Sequence, residues 1–395
     1  MARGPSPSQG FSTLPPRRGK AQGWGLSLLL TACASTSEGV APPTDAAVRD
    51  AQPDVVSAPD VVSAPDVAVT DVVLPDVPAV QPVEARVNEW TWVDVPGSRC
   101  ANGTPTGFGV NRAASSDTVV LFLQGGGACW DGTTCLGPVT TSFYVATGYD
   151  RLAFQTDVLR AAMLPMRRLD PTNPFRGMHL VYVPYCTGDV HAGDRVARYS
   201  FLGRTADIHH VGYRNLGLFL PRVRATFPNA RRIILMGDSA GGFGAAINMD
   251  RVQRFYGDVP VDVLDDSGPP VLPDRSRWQA WRTAWNVQFP EGCPACAEDL
   301  TAVVRVLQNR YPTRRFGLIS YTHDAVISTF MNVTAFQFWD SLRATADALP
   351  RTWPGARTFL VPGILHVGML APTPAMVRWM DAFAREDPAW TSEGP

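Results

Sequence analysis

The chain has 395 residues, of which 45% are hydrophobic and 18% charged, and a formal net charge of −1. That length holds one large single-core domain with appendages, or two ordinary domains, and the near-neutral balance gives no electrostatic footprint for nucleic acid or an anionic membrane surface. Lys20 is the only lysine among 35 basic residues, an arginine excess read as codon bias, and no apolar run approaches the roughly 20 residues that span a bilayer.

At the N-terminus Arg17, Arg18 and Lys20 precede a short apolar stretch, Trp24 to Leu30, and then Leu30-Thr31-Ala32-Cys33. This is the layout of a secretory signal. Its last four residues resemble a bacterial lipobox, in which Cys33 is diacylated; the alternative is an ordinary signal peptide with a chance cysteine. Two acyl chains, at about 0.8 kcal/mol per buried CH₂, anchor stably. Residues 1–33 are therefore expected to be a lipoprotein-type signal, and the protein to be exported and held at a bacterial membrane or cell surface through this lipid alone, or else secreted. Pro-Asp-Val then recurs from Pro53, Pro59, Pro65 and Pro75. Proline at this density excludes a helix and removes ladder donors from any strand. Residues 34–85 read as an extended, disordered tether that reaches on the order of 100 Å at about 3.1 Å per residue.

Residues 86–395 are ordinary globular sequence. The spacing of apolar residues predicts strands at Thr118–Leu123, Met178–Val183, Arg232–Met236, Val261–Leu264, Arg315–Ser320 and Arg357–Val361, with helices at Asn215–Thr226, Phe243–Phe255 and Thr373–Arg385. Thr373 and Pro374 supply a helix-start signal for the last of these. Buried strands alternating with helices imply a mainly parallel α/β sheet.

The first strand ends in Gly125-Gly126-Gly127. Glycine permits the torsions that turn backbone N–H groups toward a substrate oxygen. A phosphate loop would want G-x-G-x-x-G opening a helix, and Cys129-Trp130-Asp131-Gly132 follows instead. The third strand leads into Gly237-Asp238-Ser239-Ala240-Gly241 and then a helix. Strand, sharp turn and helix give G-x-S-x-G its meaning: the turn projects a serine hydroxyl from the sheet edge. Ser239 is thus the candidate nucleophile, with Gly126, Gly127 and Ala240 as amide donors to a developing oxyanion. Of the six histidines, His179, His191, His209 and His210 precede the serine. His366 lies just past the last predicted strand, on a loop that suits a general base. For the acid, Asp324 follows the penultimate predicted strand, the usual arrangement, while Asp265 and Asp266 follow an earlier one; Asp266 then reads as structural and His323 as a loop-packing or rim residue. Trp278, Trp281 and Trp285 fall at helical spacing, either as a cap helix presenting indole faces to a substrate or as a face packed on the core.

Together these motifs resemble the pectin acetylesterase/Notum family of carboxylesterases. The resemblance spans roughly Cys100 to His366 through Cys100-Ala-Asn-Gly-Thr-Pro-Thr-Gly-Phe, Leu121-Phe-Leu-Gln-Gly-Gly-Gly-Ala-Cys129, Val183-Pro-Tyr-Cys186-Thr-Gly-Asp-Val, Gly237-Asp-Ser-Ala-Gly-Gly242, Asp266-Ser-Gly, Cys293-Pro-Ala-Cys296 and Asp324. It implies an α/β-hydrolase fold with a mainly parallel sheet, flanking helices and a small cap region. It also implies Ser239, His366 and Asp324 as the catalytic triad, and no metal or cofactor. The implied substrate is an O-acyl group, acetyl above all, on a cell-wall polysaccharide such as pectin. Gly127 and Ala128 stand where the family often has an aromatic residue. The family is disulfide-bonded, which implies Cys129–Cys135, Cys293–Cys296 and Cys100–Cys186 as bridges; sequence alone leaves 15 pairings of six cysteines. The rival readings are a lipase-like or acyl-protein deacylase, and a binding protein on a degenerate hydrolase fold.

Overall fold

A computed structural model describes residues 80–395 except 138–141, 143, 161 and 162. The expected signal and nearly all of the expected tether lie outside the described residues. Within the span expected to be tether, Val83 is packed. Its side chain is buried in the core, and its amide donates to Thr226 Oγ1 at 2.9 Å.

In chain order the elements are β1 (Trp90–Asp94), β2 (Gly107–Asn111), β3 (Thr118–Leu123), α1 (Gly132–Leu136), α2 (Arg151–Arg160), β4 (His179–Val183), β5 (Arg195–Phe201), β6 (Arg204–His210), α3 (Gly212–Thr226), β7 (Arg232–Asp238) and α4 (Ala240–Tyr256). They continue with β8 (Val261–Asp266), α5 (Arg275–Trp285), α6 (Thr301–Arg310), β9 (Phe316–Tyr321), α7 (Ala325–Met331), α8 (Ala335–Thr352), β10 (Ala356–Val361) and α9 (Pro374–Ala384).

Eight strands form one sheet in the order β1-β2-β4-β3-β7-β8-β9-β10. The run from β4 to β10 is parallel, and β2 and β1 extend it antiparallel. Burial on both faces explains why the central strands read as continuous apolar runs. In β3, Val119, Leu121 and Leu123 pack on one face with α3, α4 and α8, while Val120 and Phe122 pack on the other with α9. The strand period of two thus feeds two separate cores. β5 and β6 form a separate hairpin around Leu202 and Gly203, whose φ values of 46° and 78° match the twist of the flanking strands. The side chain of Thr373 caps α9 through Met376 N, with Pro374 at the first helical position.

The tryptophans of α5 do not form a cap over a cleft. Trp278, Trp281 and Trp285 are 4%, 4% and 0% exposed and belong to the core. The physical reason is area: each indole buries on the order of 150–250 Å², a large apolar payload best placed in the core. Trp285 instead braces the loop after β3, donating from Nε1 to the Cys129 carbonyl at 2.6 Å. Disulfides join Cys100–Cys186, Cys129–Cys135 and Cys293–Cys296. No helix among the described residues is long and apolar enough to cross a membrane.

Candidate active site

The parallel strands β3, β7, β8, β9 and β10 deliver their C-terminal ends to one edge of the sheet, and the candidate residues lie there. Ser239 sits between β7 and α4 with φ 51° and ψ −119°, a conformation that costs an ordinary L-residue free energy and is kept only where the surroundings enforce it. Two contacts enforce it. The Ser239 amide donates to the Asp266 carbonyl at 2.7 Å, and α4 approaches β3 so closely that a Cβ on Gly241 would lie 1.9 Å from the Leu123 carbonyl oxygen. The hydroxyl is held at the mouth of α4, where the first-turn amides, Ala240's included, have no acceptor within the helix.

The glycine loop after β3 is pinned to that turn. Gly125 donates its amide to Asp238 Oδ1 at 3.0 Å. Gly127, at φ 80°, takes a torsion open to glycine. Gly125, Gly126, Gly127, Asp238, Ser239 and His366 line a common cavity of about 710 Å³, whose walls are largely aromatic and thioether: Trp90, Phe122, Phe330, Met163 and Met166.

Asp324 is fully buried as the N-cap of α7. Its Oδ1 accepts from Val326 N at 3.0 Å and Ile327 N at 2.9 Å, and its Oδ2 is 2.7 Å from His366 Nδ1. The helix start fixes the carboxylate and the carboxylate fixes the imidazole. His366 is otherwise partly open, with 18% of its side chain exposed. Among the described residues no hydrogen bond joins its ring to the Ser239 hydroxyl; both side chains line the same cavity.

Asp266 has a different place. It accepts from Gly368 N at 3.0 Å, Met369 N at 2.7 Å and Ser267 Oγ at 3.0 Å, while Ser267 Oγ accepts from Val367 N at 3.1 Å. The end of β8 therefore holds the loop that carries His366, and the φ of 63° at β-branched Val367 marks the tension in it. Burial pushes the Asp266 carboxyl up to about 6, against the pull of the Met369 and Gly368 amides. Burial likewise pushes Asp238 up to about 7, opposed by the Gly125 amide and the nearby His366 ring and reinforced by the charge of Asp266.

Three other histidines are committed elsewhere. His191 and His210 are buried, each pushed down to about 4 by desolvation, with ring nitrogens on the Gln124 and Thr187 carbonyls. His323 bonds Thr322 Oγ1 and stacks on Trp339, a loop-packing place. His210 also lies beside Cys129 and Cys135, whose sulfurs are bonded to each other and offer no thiolate to a metal. Two residues that sequence patterns missed line the cavity: Asp238, hidden as the variable position of its motif, and Asp157 on α2, which no local motif announces.

A family model for pectinacetylesterase matches residues 84–281, half of the chain, including the glycine loop and Ser239. The chain belongs to the pectinacetylesterase family. It is similar to palmitoleoyl-protein carboxylesterase notum2 of Xenopus laevis, at 29% identity over 189 residues covering 43% of this chain and 34% of the relative. It is also similar to palmitoleoyl-protein carboxylesterase NOTUM of Homo sapiens, at 28% over 179 residues covering 43% and 34%. Drosophila melanogaster NOTUM matches at 25% over 218 residues, covering 49% of this chain and 31% of the relative. The chain spans about a third of the length of these curated relatives. In this pectinacetylesterase-family chain Asp324 and His366 lie beyond the matched segment, after β9 and β10.

Proposed function

We propose that this pectinacetylesterase-family chain is a serine carboxylesterase that removes O-acyl groups, acetyl above all, from a cell-wall polysaccharide such as pectin. The observation that carries this is the 2.7 Å bond from Asp324 to His366 at the cavity that Ser239 lines from its strained turn. In this mechanism Asp324 holds the Nδ1 proton, so Nε2 presents its lone pair to the serine. His366 takes the hydroxyl proton as Ser239 Oγ attacks the ester carbonyl carbon, and the amides of Gly126, Gly127 and Ala240 donate to the oxyanion. The imidazolium returns its proton to the departing alcohol. Water, deprotonated by His366, then attacks the acyl-enzyme, releasing the acid and restoring the serine.

Ser239→Ala is expected to abolish p-nitrophenyl acetate hydrolysis while the protein stays folded by circular dichroism; retained activity would reject the assignment. The apolar walls favour a second reading, a longer acyl chain, and the relatives are named as palmitoleoyl-protein carboxylesterases. Rates rising from acetyl through octanoyl esters would select it. Failure to label with a fluorophosphonate would instead favour a non-catalytic binding protein. Three disulfides support an oxidising compartment, and we extend the proposal to export with a lipid anchor at Cys33, a signal over residues 1–33, a tether beyond it, and a catalytic domain to residue 395.

A further inference from the structure

The cavity holds a second polar cluster, away from the Ser239–His366 pair. Asp157 on α2 accepts from Tyr144 Oη at 2.9 Å through Oδ1, and through Oδ2 from Gln124 Nε2 at 3.0 Å, Tyr149 Oη at 3.0 Å and Tyr182 Oη at 3.4 Å. Gln124 is the residue before the glycine loop, and its Oε1 accepts from Tyr185 N at 3.0 Å, so one side chain connects Asp157 to the backbone expected to face the ester oxygen. On the other flank stands Asp238, next to Ser239. Burial raises the Tyr182 phenol most, Tyr149 and Asp157 beside it raise it further, and Asp238 adds to them. No arginine or lysine is among the described residues that line this cavity.

A wall of this kind has a definite selectivity. The Asp157 carboxylate, with no facing cation in a largely apolar cavity, repels a further anion, since Coulomb energies grow as water is excluded. The same wall offers a sugar what it needs: Oδ1 of Asp157 takes one donor among the described residues and retains acceptor capacity for a hydroxyl, and aromatic walls face the ring. We propose that Asp157 makes this site selective for acyl esters on uncharged glycosides, so that a neutral sugar or a methyl-esterified uronide is accepted and a free uronate is excluded. Asp157 is here a specificity-determining residue. The inference rests on the esterase reading above and narrows its substrate to uncharged residues.

The test compares acetate release from acetylated oligogalacturonides of matched length, one as the free acid and one methyl-esterified, which differ in charge on the same sugar. The wild-type protein is expected to favour the methyl ester at least tenfold in kcat/KM at low salt. The ratio is expected to shrink as salt screens the charges, and to fall severalfold in Asp157→Asn. A residue that only supports the fold would slow both substrates together and leave the ratio unchanged; that result in Asp157→Asn, or equal wild-type rates on the two substrates, would overturn the proposal. If the variant fails to fold, the wild-type ratio and its salt dependence decide. p-Nitrophenyl acetate separates the two failures: a protein inactive on it refutes the esterase reading and this inference with it, whereas one that hydrolyses it and takes the free uronide equally well refutes this inference alone.

Discussion

Asparagine at position 324 separates the two tasks of the buried carboxylate. One oxygen caps α7 by accepting from Val326 N and Ile327 N; the other holds His366 Nδ1 at 2.7 Å. The carboxamide oxygen of Asp324→Asn can keep the cap, whose complete loss, as in Asp324→Ala, costs about 0.5–2 kcal/mol. The amide nitrogen then faces Nδ1. Two donors cannot bond, so the ring adopts the tautomer with hydrogen on Nε2 and loses the lone pair that the serine requires. In serine proteases this change lowers kcat about 10⁴-fold, equivalent to about 5 kcal/mol of barrier. The expected outcome is an Asn variant with a near wild-type thermal midpoint and p-nitrophenyl acetate turnover down by about three to four orders of magnitude. Turnover within tenfold of wild type in a folded Asn variant would refute the role of Asp324.

Two further outcomes follow from buried groups. Cys100–Cys186 closes a loop of 86 residues; its removal as the double alanine variant is expected to lower unfolding stability by roughly 4–5 kcal/mol on the loop-entropy model, measured by urea denaturation, and a loss below about 1 kcal/mol would contradict that model here. Asp238, pushed up to about 7 by burial, keeps in the folded state a proton that the unfolded chain loses near pH 3.9. Its contribution to stability is therefore greatest below that value and is lost as pH rises toward about 7. Asp238→Asn buries no charge, so its thermal midpoint is expected to gain on wild type as pH climbs from 4 to 8; parallel midpoint curves would show that Asp238 titrates normally.

The parallel half of the sheet was legible because its strands are buried on both faces and read as apolar runs. Every strand predicted from spacing, from Thr118–Leu123 to Arg357–Val361, has a counterpart within a few residues. β2 was not legible. Gly107 and Gly109 lie in it because neighbours crowd the backbone: a Cβ on Gly109 would meet the Phe154 ring at 2.3 Å. Tertiary packing thus placed turn residues inside a strand. Ser239, Asp324 and His366 stood out because each follows a strand end, a local cue. Asp157 did not, since Gln124 and Tyr182 reach it from distant segments to join the nearby Tyr144 and Tyr149, and no short window of sequence contains that convergence. The tryptophans of α5 show the limit of periodicity, which identifies a face but not what covers it.

The bracing of the His366 loop by Asp266 bears on how this site can change. Because the loop is moored by its own Val367, Gly368 and Met369 amides to the end of β8, the preceding residues, with Ile364 and Leu365 each 65% exposed, are released from the duty of aiming the imidazole. On the proposed mechanism, selection can rewrite that rim to suit a new acyl donor while the proton-transfer chemistry stays where it is.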